Sequence, residues 1–218
     1  YAVPAIIAMT ASSLYNMVDS IFIGHIKDVG SYAISGLAVT FPLMNIATAL
    51  GTLVGVGAST ILSMLLGQRN YEAANKVLVN EVMLNVIIGI SFTIVTLLFL
   101  DPILLFFGAS VNTLPFARDY MVIILIGNVI THLYFGLNNI IRASGNPKLA
   151  MALTIFTVVS NTIMDPIFIF WLGMGIRGAA LATVICQLLA LVYTLKYFLS
   201  DKNYLRLPRK VSEYKLDW

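Results

Sequence analysis

Charge is what this sequence has least of. Only 11% of its 218 residues are Asp, Glu, Lys or Arg, against roughly a quarter in soluble globular domains. With 59% hydrophobic residues and a mean hydropathy of +0.91, too few polar side chains remain to cover a water-soluble globule. Cysteine is nearly absent as well. The lone Cys186 sits in an apolar run, has no internal disulfide partner and is expected to serve packing. The two histidines, His25 and His132, have no second His or Cys at ligand spacing, so a metal centre of that type is unsupported. His25 reads as an interfacial residue and His132 as a hydrogen-bonding partner for a neighbouring helix. The net charge of +3 comes without a dense basic patch, which argues against nucleic acid as a partner. No nucleophile–base constellation is visible, which leaves a membrane enzyme open, because catalytic residues need not be close in sequence, while the reading adopted is not an enzyme.

What the sequence does have is long apolar runs. Six segments, about 2–24, 34–66, 77–107, 117–141, 148–172 and 177–199, each reach the roughly twenty residues that cross a bilayer core. The second and third are longer than a crossing needs and must tilt or extend into the interface. Barrel-like alternation is missing, so the chain reads as all-α and polytopic. Residues 1–200 form the membrane lobe, and 201–218 begin a polar linker. Because the chain opens inside an apolar segment and stops in that linker, it is expected to be a piece of a longer protein.

The basic residues set an orientation. One side carries Arg69, Lys76, Arg142, Lys148, Lys196, Lys202, Arg206, Arg209, Lys210 and Lys215. The other has only Lys27, Arg118 and Arg177. By the positive-inside rule, both ends of this stretch face the cytoplasm and the protein is multi-pass in the cell (cytoplasmic) membrane.

Two aspartates interrupt this pattern, in "NMVDSIFIG" (16–24) and "NTIMDPIFIF" (161–170). An Asp in mid-span costs about 2.5–3.5 kcal/mol on insertion scales, and such residues usually face the protein interior or a water-filled cavity. The topology places Asp19 and Asp165 in the outer halves of spans one and five, and Thr183 returns to that level in span six. Tyr15 and Asn161 each precede an Asp by four residues and share its helix face. Pro166 offers no N–H to the Thr162 carbonyl, and interrupted helices recur at transporter ion sites. A carboxyl in a low-dielectric cavity resists ionisation unless a cation compensates. Such a site can exchange a proton, a sodium ion or a cationic substrate, and exclusive occupancy from alternating sides would give antiport. The bland alternative is an aspartate that only glues helices together. Glu81, Asp101 and Asp119 are placed near span ends, where headgroups and water would solvate them.

Three further patterns carry less. "GMGIRG" (173–178) fits a dinucleotide motif literally, but without a βαβ unit it reads as a tight external turn with close helix packing. Ala47, Gly51, Gly55, Ser59, Ser63 and Gly67 form a small-residue stripe at i+4 spacing, best explained by static packing. "GQRNYEAANK" (67–76), with Arg69 and Glu72, reads as a solvated cytoplasmic loop.

Four stretches carry a family resemblance: "YNMVDSIFIGH", "GVGASTILSMLLGQRNYEAANKV", "IIRASGNPKLAM" and "NTIMDPIFIFWLGMGIRGAALATVICQ". The chain resembles the amino-terminal half of a multidrug and toxic compound extrusion (MATE) transporter, nearest the DinF-like bacterial branch. The resemblance implies six transmembrane helices forming one lobe of a twelve-helix transporter, with a second transmembrane lobe as partner. It implies export of small organic cations and drugs across the lipid bilayer against inward H+ or Na+, with no cofactor. It also implies that Asp19 and Asp165 take the coupling cation, that Asn161 and Thr183 supply neutral oxygens, and that Tyr15 hydrogen-bonds Asp19. A coupling Na+ would then sit among Asp19, Asn161, Asp165 and Thr183. Asn138 is a weaker match, because the topology puts it toward the cytoplasmic end of span four. The competing functions are a flippase for a lipid-linked saccharide and a membrane enzyme or non-transporting helix bundle.

Overall fold

The computed structural model describes residues 2–26, 29–200 and 204–208. These form the helices α1 (Ala2–Gly24), α2 (Gly30–Gly67), α3 (Tyr71–Leu98), α4 (Leu100–Phe106), α5 (Leu114–Ile126), α6 (Asn128–Ala143), α7 (Pro147–Pro166) and α8 (Ile176–Leu199), with a π-helical turn, Ile167–Trp171, between α7 and α8. No strand occurs among the described residues. Local chemistry sets several of the boundaries. Asn70 caps α3 by accepting from the Ala73 N–H at 3.1 Å, and Glu72 lies in the first turn, where an acid complements the helix dipole. Pro147 opens α7 at a position where its missing N–H costs nothing.

Four helices are each long and apolar enough to cross a membrane: α2, α3, α7 with its π turn, and α8. The pair α5–α6, bent by 57° at Gly127, makes a fifth if counted as one span. Among the described residues, length and composition thus support four or five crossings, where the sequence suggested six. α1 (Ala2–Gly24) is not among these helices. The expected third span, 77–107, is divided at Phe99 into α3 and the short α4. The 38 residues of α2 extend about 57 Å at 1.5 Å per residue, well beyond a hydrocarbon core of about 30 Å.

Two apolar cores stack along the bundle. One, at the end carrying Arg69, Arg142 and Lys148, is built from Leu62, Leu78, Leu137, Ile141 and Phe198, and takes in Leu205 and Leu207 from beyond α8. The other, at the opposite end, contains Ile23, Leu37, Leu104, Tyr120, Met121 and Leu125. Between them lies a band of buried polar side chains: Asp19, Asn85, Asn128, His132, Asn161, Asp165 and Thr183. The stretch 204–208 is more than an extended linker. Tyr204 stacks on Tyr71 with ring centroids 5.2 Å apart, and the Leu207 N–H donates to the Phe198 carbonyl at 3.0 Å. Lys27, Lys202, Arg209, Lys210 and Lys215 lie outside the described residues.

The small-residue stripe divides in two. Ala47, Gly51 and Gly55 are buried, and a Cβ on Gly55 would fall 2.7 Å from the Gly136 Cα. Here the glycines let α2 and α6 touch backbone to backbone. Ser59 and Ser63 instead bond carbonyls of their own helix, and Gly67 has nothing within 4 Å. The glycine-rich turn serves close packing as expected. Gly173 and Gly175 adopt positive φ, 64° and 58°, and a Cβ on Gly178 would fall 2.7 Å from the Phe168 carbonyl.

Candidate functional site

Asn161 and Asp165 project from one face of α7, four residues apart, and α7 packs along α1 and α8. This brings Asp19 from α1 and Thr183 from α8 to the same place. All four are buried: Asp19 is 5% exposed, Asp165 0%, Asn161 2% and Thr183 6%. The Asn161 Nδ2 donates to Thr183 Oγ1 at 3.3 Å, and Thr183 in turn donates to the Ala179 carbonyl at 3.1 Å. The Asp19 and Asp165 carboxyls lie within interaction range of each other, and Asn161 lies within range of Asp165. None of these approaches completes a well-formed hydrogen bond, because Asp19 Oδ1, Asn161 Oδ1 and both oxygens of Asp165 lack a partner among the described residues. Buried polar atoms are otherwise nearly always paired. These four oxygens, without partners among the described residues and carried by side chains that meet in pairs, offer hard donors suited to a proton or a small cation. No group of three His, Cys, Asp or Glu suited to a metal ion occurs among the described residues.

Pro166 does not break the chain here. The backbone stays helical through Ile167 (φ −67°, ψ −50°) and then widens into the π turn, an irregularity often found at functional sites. Cys186 packs as expected, with its Sγ 3.5 Å from Met164 Sδ. The Tyr15 side chain lies outside the described residues.

A cavity of about 320 Å³ opens beside the site, with Asn161 and Thr183 in its wall. Its other polar lining, including Asn45, Thr48, Asn128, Thr131 and Gln187, was not singled out from the sequence. Thr154, Thr157 and Asn161 form a polar stripe along α7 at i+3/i+4 spacing, and that periodicity inside an apolar run was the available signal.

Other candidates fall elsewhere. Asn138 joins α6 to α7, donating to the Ala150 carbonyl at 3.2 Å, and stays out of the site. Asp101 and Asp119 are at the end opposite Arg69, in ion pairs with Arg118 (3.5 Å) and Arg177 (2.8 Å). His25 is exposed and pairs with the Ile21 carbonyl. One expectation is overturned. Glu81 is not solvated at a span end, because α3 starts at Tyr71, six residues before the expected span, and leaves Glu81 1% exposed. His132 is fully buried, and its ring approaches the Ala47 carbonyl of the neighbouring α2. The close approach of α2 at Gly51, with its would-be Cβ 3.1 Å from the His132 ring, holds the imidazole against backbone.

Comparison with known proteins adds the family. The MatE family model matches residues 4–167. The multidrug export protein MepA of Staphylococcus aureus (strain MSSA476) is 31% identical over 213 residues, covering 98% of this chain and 47% of MepA. MepA of Staphylococcus haemolyticus (strain JCSC1435) is 33% identical over 203 residues, 93% of this chain and 44% of the relative. A solved multidrug resistance MATE family transporter of the MOP superfamily, in an outward-facing conformation, superposes with a TM-score of 0.87 at 28% identity, over 96% of this chain and 46% of that one. The chain thus spans about half the length of the curated relatives it matches. A model match over most of the chain, joined to an all-helical fold shared across nearly its full length, means that the chain belongs to the MatE family.

Proposed function

We propose that the complete protein is a cation-coupled antiporter, not an enzyme, that exports drugs or organic cations across the cytoplasmic membrane. In this reading the described helices are one six-helix lobe, both ends of the lobe face the cytoplasm, and a second lobe completes the cleft. The observation that carries the proposal is the buried meeting of Asp19 and Asp165 with the unpaired Asn161 oxygen beside a polar cavity. Two unit charges about 4 Å apart repel by roughly 4 kcal/mol in a protein interior. The pair is therefore poised to take up a positive charge, whether H+ or Na+, and to give it up when access changes sides. The two carboxyls would hold the cation, with Asn161 and Thr183 supplying neutral oxygens and Tyr15 bonding Asp19. The ionisable groups of the site are acidic and, among the described residues, no Lys or Arg lines the cavity, which favours cationic cargo over a lipid-linked pyrophosphate.

The test is gradient-driven drug efflux by the full-length protein at matched membrane expression. Asp19→Asn and Asp165→Asn keep size but remove the exchangeable charge, so each is expected to abolish export while leaving insertion intact. Near-normal, gradient-dependent export by the double variant would reduce both residues to structural contacts and sink the proposal.

A further inference from the structure

A second buried acid lies away from the aspartate pair, on the far side of the lobe. Glu81 of α3 is 1% exposed, Asn85 one turn on is 0%, and His132 of α6 is 0%. Glu81 Oε1 accepts a hydrogen bond from Asn85 Nδ2. Among the described residues, Glu81 Oε2 and Asn85 Oδ1 have no hydrogen-bond partner, and the His132 ring approaches the Ala47 carbonyl without completing a well-formed bond.

These groups lie on facing surfaces of two helices. A Cβ on Gly136 would overlap Glu81 Oε1 and Asn85 Nδ2, and one on Gly89 would fall 3.6 Å from His132 Nδ1. On α3 the order is Glu81, Asn85, Gly89. On α6 it is Gly136, His132, Asn128, and Asn128 Nδ2 closes the series by donating to the Gly89 carbonyl at 3.3 Å. The acid thus sits in a socket left by Gly136, with an amide one turn above it and an imidazole at the height of the next turn. An acid retained only to join helices would be expected to satisfy its oxygens. Here one carboxyl oxygen and one imidazole nitrogen are left over among the described residues, and each can take up a proton.

We propose that Glu81, Asn85 and His132 form a second proton-binding site inside the lobe, separate from Asp19 and Asp165. Binding one proton takes the site from a single negative charge, with neutral imidazole, to neutrality. The proton resides on Glu81 Oε2 or on a His132 nitrogen, and Asn85 lies between the two holders. Other charged groups around α3 are few. Lys76, Glu72 and Tyr71 precede Glu81 on its own helix. From α6 there are His132, Tyr134 (turned toward Thr157) and Arg142, held by Asn138. Tyr32 on α2, Arg118, Asp119 and Tyr120 on α5, and Asp101 by α4 all lie toward the other end. The proposal does not rest on the coupling role of the aspartates, and the test removes them.

The experiment is infrared difference spectroscopy of the purified full-length protein across about pH 5 to 9, in an Asp19→Asn, Asp165→Asn background. The parent is expected to show a titrating carbonyl band of a protonated carboxyl that Glu81→Gln removes. His132→Gln is expected to keep the band and move its midpoint by about one pH unit, a tenfold change in proton affinity. Identical spectra for parent and Glu81→Gln, a lost band that ignores pH, or a midpoint indifferent to His132→Gln would each overturn the proposal. Should Glu81→Gln fail to fold, selective carbon-13 labelling of glutamate in the parent replaces it. The titrating band must then move with the label, and a band that stays in place is equally fatal.

Discussion

Replacing Gly136 by Ala tests the packing on which the buried acid depends. The added methyl would overlap Glu81 Oε1 and Asn85 Nδ2 and fall 3.1 Å from the Glu81 carboxyl carbon. Overpacking a core costs about 1–3 kcal/mol, and loss of a buried hydrogen bond adds about 1–3 kcal/mol when a group is left unsatisfied. A total of roughly 3 kcal/mol is expected. At about 2–4 °C per kcal/mol for a unit of this size, the midpoint of thermal unfolding should fall by roughly 6–12 °C. The assay is thermal unfolding of the full-length protein in detergent, followed by size exclusion. Glu81→Ala in the same chain removes the clashing carboxyl and should recover at least half of the loss. Gly57→Ala, where a Cβ meets nothing within 4 Å, is the control and should lose nothing, since Ala favours the helix. A Gly136→Ala midpoint within a degree or two of the parent, or a loss that Glu81→Ala leaves untouched, would refute the reasoning.

The orientation predicts that a cysteine at Lys148 is shielded from an impermeant reagent in intact cells while one at Arg177 reacts; the reverse pattern would overturn it. Leu207→Ala should cost about 2–3 kcal/mol, because Leu207 is 4% exposed within the core shared by α3, α6 and α8. Limited proteolysis should then cut near 204–208 faster than in the parent, and equal rates would detach that stretch from the lobe's stability. Gly178→Ala must displace the Phe168 carbonyl from its 2.7 Å approach and should lower the unfolding midpoint by several degrees. Arg177→Gln, by contrast, breaks an exposed ion pair with Asp119 and should cost under about 1 kcal/mol, leaving the unfolding midpoint almost unchanged.

Local pattern carried much of this protein's reading. Apolar runs of bilayer length, the scarcity of charge and the asymmetry of Lys and Arg are properties of the chain itself. So is the four-residue step from Asn161 to Asp165, which puts both on one helix face whatever surrounds them. The sequence therefore sufficed to expect Asp19, Asp165 and Thr183 at one level, with Asn161 on the Asp165 face, and α1, α7 and α8 pack together where these residues are buried. It did not suffice for Glu81. The hydropathy of α3 falls off near residue 77, but the Asn70 cap lets the helix begin at Tyr71, and α6 presents Gly136 to accept the carboxyl. Similar limits hide the bend at Gly127, the cavity behind Asn161 and the removal of Asn138 to a contact with Ala150. A helix face follows from spacing along one chain segment, whereas burial and partnership follow from what the other helices bring against that face. Only the tertiary packing of α2, α3 and α6 turned Glu81 from a solvated acid into a buried one.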